Sequence, residues 1–421
     1  MLRPDEAVWA RHHAFVEGNL RRNYAATLIH GVFGMTGFRL IYAPTIIPAY
    51  LYLQTGSTAA VGLGMAMLQL GGTASPILSG ARVESRSHIL PYAITVGSLM
   101  RVMVLALALT AWWLDGMVLF GATLVIFLML GFFQGAQRVA FQMLMAKVIP
   151  IDRRGRLQGV RNLLGGGIAA GLAWAAGVYF IEREWLGNGY ATTFLFAFLL
   201  TTVGLVVLQL GIREPEAPRM RVPVPLSERW EQFRELVRHR GYRAFLYAHG
   251  FSSIARVGLP FWTIFVGERL GLDGYVIGAL SLSFLASETV SNLAWGQIGD
   301  RFGFRLVYLG SLICSLGGLA LLVLGDGAVL YAAFALLGFG FSGWMMSAST
   351  LVLEFGEHED IPMRIALTTT VEGAVSSIGP VIAGLAIAAL GFAPLILVAF
   401  ASIAVALAIV FWRVSEPRSP L

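Results

Sequence analysis

The chain has 421 residues, of which 57% are hydrophobic and only 13% charged, and its formal net charge is +6. A soluble domain carries about 25% charged residues, and a globule of this size in water could not hide so much apolar surface. The same figures exclude a disordered chain, and the single cysteine, Cys314, excludes a disulfide framework or a thiolate metal site.

The positive charge does not point to nucleic acid. Basic residues are scattered over many short loops rather than gathered on one helix face. Residues 1–22 contain Asp5, Glu6, Arg11, Glu17, Arg21 and Arg22. That is too polar for the apolar core of a signal peptide, so they are expected to form a cytoplasmic N-terminal segment ahead of a retained first span.

A helix crossing the hydrocarbon core needs roughly 20 apolar residues. Twelve stretches qualify, at 23–53, 57–80, 89–112, 117–147, 159–181, 190–212, 242–267, 273–297, 305–325, 328–354, 362–389 and 391–412. Their connections are short and turn-like, as at Gln54–Ser57 and Gly325–Gly327. The expected organisation is a six-helix bundle over 23–212, a linker over 213–241, a second six-helix bundle over 242–412 and a tail over 413–421. The expected fold class is therefore an all-α integral membrane protein.

The basic residues orient these spans. Of the 30, 24 fall in segments on one side of the predicted membrane. Only Arg183 and Arg269 fall on the other, and Arg39, Arg101, Arg138 and Arg256 lie within spans. This positive-inside bias places both termini in the cytoplasm. Within the linker, Ser227 is a plausible helix cap, and Trp230, Phe233, Leu236 and Val237 recur at helical spacing. The pattern predicts a short amphipathic helix on the cytoplasmic membrane face.

The two halves echo each other. Gly80–Glu84 closes span 2 and Gly296–Asp300 closes span 8, 216 positions later; Val61-Gly62 and Ile277-Gly278 share that offset. Leu130-Gly131-Phe132 in span 4 recurs as Leu337-Gly338-Phe339 in span 10. Parallel repeats of this kind mark one transporter architecture in particular. The loop Gly296-x-x-x-Asp300-Arg301-x-Gly303-x-Arg305 resembles the signature loop of the major facilitator superfamily (MFS). The first-half copy is degenerate, with Glu84, Ser85 and Ser87 at the Asp, Arg and Gly positions. Pro150-x-x-Arg153-Arg154-Gly155-Arg156 is similar to a second loop pattern of that superfamily.

The resemblance implies a twelve-helix MFS fold, two bundles rocking about a midplane site, and secondary active transport by alternating access. It assigns Gly296, Asp300, Arg301, Gly303, Arg305, Glu84, Arg154 and Arg156 to conformational gating. Physically, glycine lets helix ends approach, while Asp300 can cap a neighbouring helix and pair with an arginine. A phosphate loop needs a Gly-Lys pair, and the single lysine, Lys147, follows Ala146. Direct ATP use is therefore not expected.

Charges inside a membrane are costly and usually face a cavity or a partner. Arg39 and Arg256 sit in the counterpart spans 1 and 7, each shortly before a proline, Pro44 or Pro260. In the superfamily these two helices line the central cavity. Paired arginines there resemble its organophosphate and organic-anion members, and a guanidinium grips phosphate or carboxylate with two hydrogen bonds. Tyr42, Gln134, Arg138, His249 and Trp262 are the further candidates for substrate binding. Glu288 and Glu372 are the candidates for proton coupling. If both glutamates neutralise arginines, two positive charges remain, which favours an anionic substrate. The competing reading locks the arginines into structural ion pairs.

The expected partners are a small-molecule substrate, the lipid bilayer and a coupling proton or ion. No nucleic acid, metal or cofactor is expected, nor an enzymatic activity, and the chain is read as a monomer of the cell inner (plasma) membrane. Two other functions remain open: proton-coupled efflux of drugs or other hydrophobic compounds, and a non-transporting membrane sensor. Against efflux, span 5 reads Gly165–Gly171 without the Gly-Pro element common in exporters; Gly379-Pro380 falls in span 11 instead.

Overall fold

The computed structural model describes residues 4–84, 86–216, 236, 238–355 and 360–416. Regular structure among them is helical throughout. In chain order the helices are α1 (Pro4–Gly18), α2 (Leu20–Tyr42), α3 (Ile46–Thr55), α4 (Thr58–Glu84), α5 (Leu90–Trp113), α6 (Gly116–Val148), α7 (Ile151–Ala175), α8 (Gly189–Gly211), α9 (Arg240–Arg256), α10 (Leu259–Leu270), α11 (Gly274–Phe302), α12 (Phe304–Leu324), α13 (Val329–Glu354), α14 (Ile361–Leu390) and α15 (Ala393–Arg413). A π-helical turn, Ala176–Ile181, prolongs α7.

Nine of these stretches are each long and apolar enough to cross a membrane, among the described residues. The first, second and seventh predicted spans are not among them; a break divides the first and the seventh in two. Span 1 is α2 plus α3, interrupted around Pro44; span 7 is α9 plus α10, with Pro260 in the first turn of α10. Proline supplies no backbone N–H and suits a helix start better than a helix interior. Two further differences from the sequence reading stand out. The polar N-terminal segment holds a helix, α1. The Pro150–Arg156 stretch, read as a loop, forms the opening turns of α7. The predicted linker helix around Trp230 and Phe233 lies outside the described residues, as does the side chain of Glu84.

Two compact units make up the chain. The first comprises Met1–Tyr42, Met67–Leu172 and Leu186–Pro223; the second comprises Ala43–Ala66, Ala173–Trp185 and Val224–Leu421. Small residues set the packing in both, as expected where lipid offers no hydrophobic drive between helices. In the first unit α2 lies on α8, where a side chain at Gly37 would meet Thr201 and the Ala197 carbonyl. In the second, α12 lies on α13, where Gly318 faces Leu337 and Gly340 faces Ser311.

The internal repeat is visible in atomic contacts. Gly131 of α6 abuts the backbone of Leu68 on α4, and Gly338 of α13 abuts the backbone of Phe284 on α11. Leu68 and Phe284 stand 216 positions apart, the offset read from sequence. A second correspondence concerns the helix ends. Glu214, after α8, accepts the backbone N–H groups of Ile89 (2.7 Å) and Leu90 (2.8 Å) at the start of α5. Glu416, after α15, accepts the N–H of Arg305 (3.1 Å) at the start of α12. Each carboxylate thereby meets exposed donors and the positive end of a helix dipole. Glu214 also pairs with Lys147 Nζ at 2.8 Å, and Lys147 donates to the Ser87 carbonyl at 2.6 Å.

Candidate functional site

In the first unit a cavity of about 280 Å³ is lined by residues from α2, α5, α6 and α7. Four of them are arginines: Arg39, Arg101, Arg138 and Arg161. Tyr42, Gln134 and Gln137 add neutral polar groups, and Phe38 and Phe141 add rings. No carboxylate lines it among the described residues, and the sequence explains why: residues 18–83, 86–114, 116–151 and 153–181 contain neither Asp nor Glu. An arginine at a helix centre costs about 2.5–3.5 kcal/mol on insertion scales, so an acid-free cluster of four is a feature that demands compensation.

The four are not equivalent. Arg101 is 2% exposed and donates Nε to the Thr201 carbonyl and Nη1 to the Gly97 carbonyl, both at 2.7 Å. Its guanidinium lies 5.4 Å from the Phe38 ring. These contacts hold it inside the unit, away from the surface. Arg161 stacks 5.2 Å above the Phe141 ring, and its stem fills the space beside Gly31, where any side chain would collide with it. Arg39 is half-buried, while Arg138 is exposed at the cavity. His30 is held by the Gly204 carbonyl at 3.0 Å.

The second unit builds a different cluster. Arg256, the last residue of α9, lies 3.5 Å above the Trp344 ring and 5.1 Å from that of Phe341. Its Nη1 is 3.6 Å from Glu372 Oε1, and His249 Nε2 is 3.7 Å from Glu372 Oε2. His249 also stacks on Trp344, with 5.0 Å between centroids. Ser252 fixes the indole: it donates to the His249 carbonyl (2.9 Å), so it accepts from Trp344 Nε1 (2.8 Å) and from the Tyr308 hydroxyl (2.7 Å). Trp262 is buried and joins Arg256 in lining a small cavity of about 40 Å³.

Arg39, Tyr42, Gln134 and Arg138 thus share one cavity in the first unit, while Arg256, His249 and Trp262 gather in the second. Glu372 stands beside Arg256 and His249; Glu288 is half-buried elsewhere on α11. Among the gate candidates, Gly303 adopts φ +88°, where a side chain is strained and would strike the Glu416 carboxylate. Arg305 closes the end of α15 through the Val410 (3.3 Å) and Phe411 (2.7 Å) carbonyls. The cap of α12 is therefore Glu416; Asp300 and Arg301 are exposed. Arg154 caps the end of α6 at the Ile149 and Ala146 carbonyls, at 2.8 and 2.5 Å, and Arg156 is exposed. Gly296 has open space around it.

Sequence reasoning missed Arg161, Gln137, Tyr308 and Trp344's fixed indole. Arg161 stands two residues inside the predicted span 159–181, where it reads as a span-end charge; no spacing in the sequence says that α7 places it on the same cavity as Arg39 and Arg138.

The Arg256–Glu372 contact has a measurable consequence. Both side chains keep partial exposure, 24% and 32%, so their coupling is expected to be on the order of 1 kcal/mol rather than the several expected of a fully buried pair. A double-mutant cycle with Arg256→Ala and Glu372→Ala, read by thermal unfolding in detergent, measures it. Strict additivity would show that the two charges do not interact.

Residues 251–421 match the family model described as Major Facilitator Superfamily. No curated protein matches the sequence. Solved structures match across nearly the whole chain. A variant of the nucleoside transporter NupG has 13% identity and a TM-score of 0.71, covering 92% of this chain and 98% of its own. A D-xylose-proton symporter has 16% identity and a TM-score of 0.70, covering 96% and 100%. The human organic anion transporter MFSD10 (TETRAN) has 14% identity and a TM-score of 0.60, covering 93% and 98%. At these identities the structures establish the fold. The family match adds that residues 251–421 are similar to the Major Facilitator Superfamily.

Proposed function

We propose that this chain is a secondary transporter of the major facilitator superfamily that moves a small organic anion by alternating access, with Arg39, Tyr42, Gln134 and Arg138 in the first unit and Arg256, His249 and Trp262 in the second contributing to recognition. The observation that carries the reading is the four-arginine cavity in a set of spans without a single carboxylate. Positive charge gathered around a cavity whose described lining holds no carboxylate attracts an anionic ligand. Glu372, which meets both Arg256 and His249, is the proposed coupling carboxylate, with Glu288 as the second candidate. The exposed loop residues Asp300, Arg301 and Arg156 belong to the proposed gate, with both termini in the cytoplasm of a cell whose inner membrane holds the monomer. Fold likeness does not select the cargo, since neighbours of near-equal similarity are named for a nucleoside and for xylose.

Uptake of labelled organic anions into proteoliposomes tests the reading. Arg39→Ala and Arg256→Ala are each expected to lower the initial rate at least tenfold; native rates in both would end it. One observation favours a second reading, efflux of hydrophobic compounds. An apolar recess of about 470 Å³ lies among α9, α14 and α15, lined by Ile254, Val257, Ile378 and Ile382 among others. Transport of a lipophilic cation with no response to organic anions would decide for it.

A further inference from the structure

We infer that Trp344 is a positioning residue for transport: its indole, clamped by Ser252 and Tyr308, holds Arg256 by the face of the guanidinium and so keeps it from locking onto Glu372. The inference rests on the reading of Arg256 as a recognition residue and adds two side chains, Trp344 and Tyr308, that act through it.

The fixed plane of the ring is the first argument. Trp344, on α13, is 3% exposed and has one polar atom, the indole Nε1. Nε1 donates to Ser252 Oγ on α9 at 2.8 Å. Ser252 is 2% exposed; it gives its own proton to the His249 carbonyl at 2.9 Å and accepts from the Tyr308 hydroxyl, on α12, at 2.7 Å. Side chains from three helices therefore meet at one buried hydroxyl, with each donor used. Turning the indole would leave Nε1 buried without an acceptor, which is costly.

What the ring carries is the second. Arg256 stands 3.5 Å above it, and His249 lies nearly parallel to it, with 12° between the planes. His249, Ser252 and Arg256 follow one another on a single face of α9. Arg256 Nη1 is 3.6 Å from Glu372 Oε1, beyond the roughly 2.7–2.9 Å of a charge-assisted hydrogen bond. Its Nε and Nη1 make no hydrogen bond among the described residues. A cation over tryptophan in a desolvated setting outweighs a partly exposed ion pair, so the face contact wins and the fork stays open. The cavity of about 40 Å³ adjoins this same arginine. Without the indole, Glu372 becomes its strongest attraction, and an arginine bound edge-on to a carboxylate has no fork left for cargo.

The double-mutant cycle of Arg256→Ala and Glu372→Ala, repeated in the full-length Trp344→Leu chain, tests the inference without any cargo. The interaction between the two charges is expected to strengthen at least tenfold, about 1.4 kcal/mol, because the arginine closes on the carboxylate. Trp344→Phe keeps a ring without the N–H, and Tyr308→Phe keeps the indole but loosens its anchor. Each should strengthen the interaction at least twofold. A tryptophan that serves packing alone would lower every corner of the cycle alike and leave the interaction between the charges as it was. If Trp344→Leu yields no folded protein, the two milder chains decide. An interaction that strengthens less than twofold in every folded background overturns the inference while the anion reading stands. Native uptake by Arg256→Ala ends that reading, and with it the role given to Trp344, whatever the cycle returns.

Discussion

Leucine introduced by Gly131→Leu or Gly338→Leu is expected to leave no monodisperse, folded protein in detergent. At each position an added Cβ would already lie inside the contact distance of a main-chain carbonyl, that of Leu68 or Phe284. A side chain could rotate away; a helix backbone cannot, so α6 would have to part from α4, or α13 from α11. Overpacking by a methyl or two in a well-packed core costs typically about 1–3 kcal/mol, and a whole isobutyl group against backbone goes beyond that range. Gly131→Ala and Gly338→Ala should each fold with a lowered melting temperature. Gly171→Ala, where the position has open space, should melt within about 0.5 kcal/mol of the unmodified protein, the range of ordinary surface substitutions. Fluorescence-detected gel filtration across a temperature series reads all five. A monodisperse Gly338→Leu with native stability would show that α11 and α13 do not approach as closely as described.

Glu214→Ala should be the most damaging substitution outside the spans. Its carboxylate satisfies two backbone donors at the start of α5 and neutralises Lys147, and the two side chains are only 3% and 9% exposed. Breaking a buried pair by removing one partner costs about 3–5 kcal/mol, and loss of a helix cap adds about 1 kcal/mol. Lys147→Met should be milder, because Glu214 keeps both N–H donors while an apolar stem replaces the lysine. The double variant should recover part of the Glu214→Ala loss but not the cap. Glu416→Ala, at the corresponding site in the second unit, loses one backbone bond and is expected to cost about 1 kcal/mol. Thermal unfolding of the four variants gives the order. If Glu214→Ala melted no lower than Lys147→Met, the double cap would be without energetic weight.

These two sites show what a sequence pattern can and cannot carry. Leu-Gly-Phe at 130–132 and 337–339 was visible as a repeat, yet the repeat did not say what each glycine touches. Glu214-Pro215 and Glu416-Pro417 repeat as well, but in sequence a carboxylate in a linker looks like any solvated charge. Its role appears only when α5 or α12 delivers free backbone donors to it. Asp300 drew attention instead, since its motif is conspicuous, but the donors at the start of α12 lie within reach of Glu416.

Composition and periodicity by themselves determined that this chain is built of apolar helices suited to lipid, because partitioning between water and hydrocarbon depends on residue type summed over a span and not on neighbours. They also determined that the first half carries unbalanced positive charge, since an absent Asp or Glu is legible without coordinates. Which arginines share a cavity was decided only by tertiary structure. Arg101 and Arg161 belong with Arg39 and Arg138, while Arg256 turns to Trp344 and Glu372. The reason is geometric: a guanidinium's surroundings come from several helices brought together from distant parts of the chain, and helix rotation by one residue redirects it by about 100°.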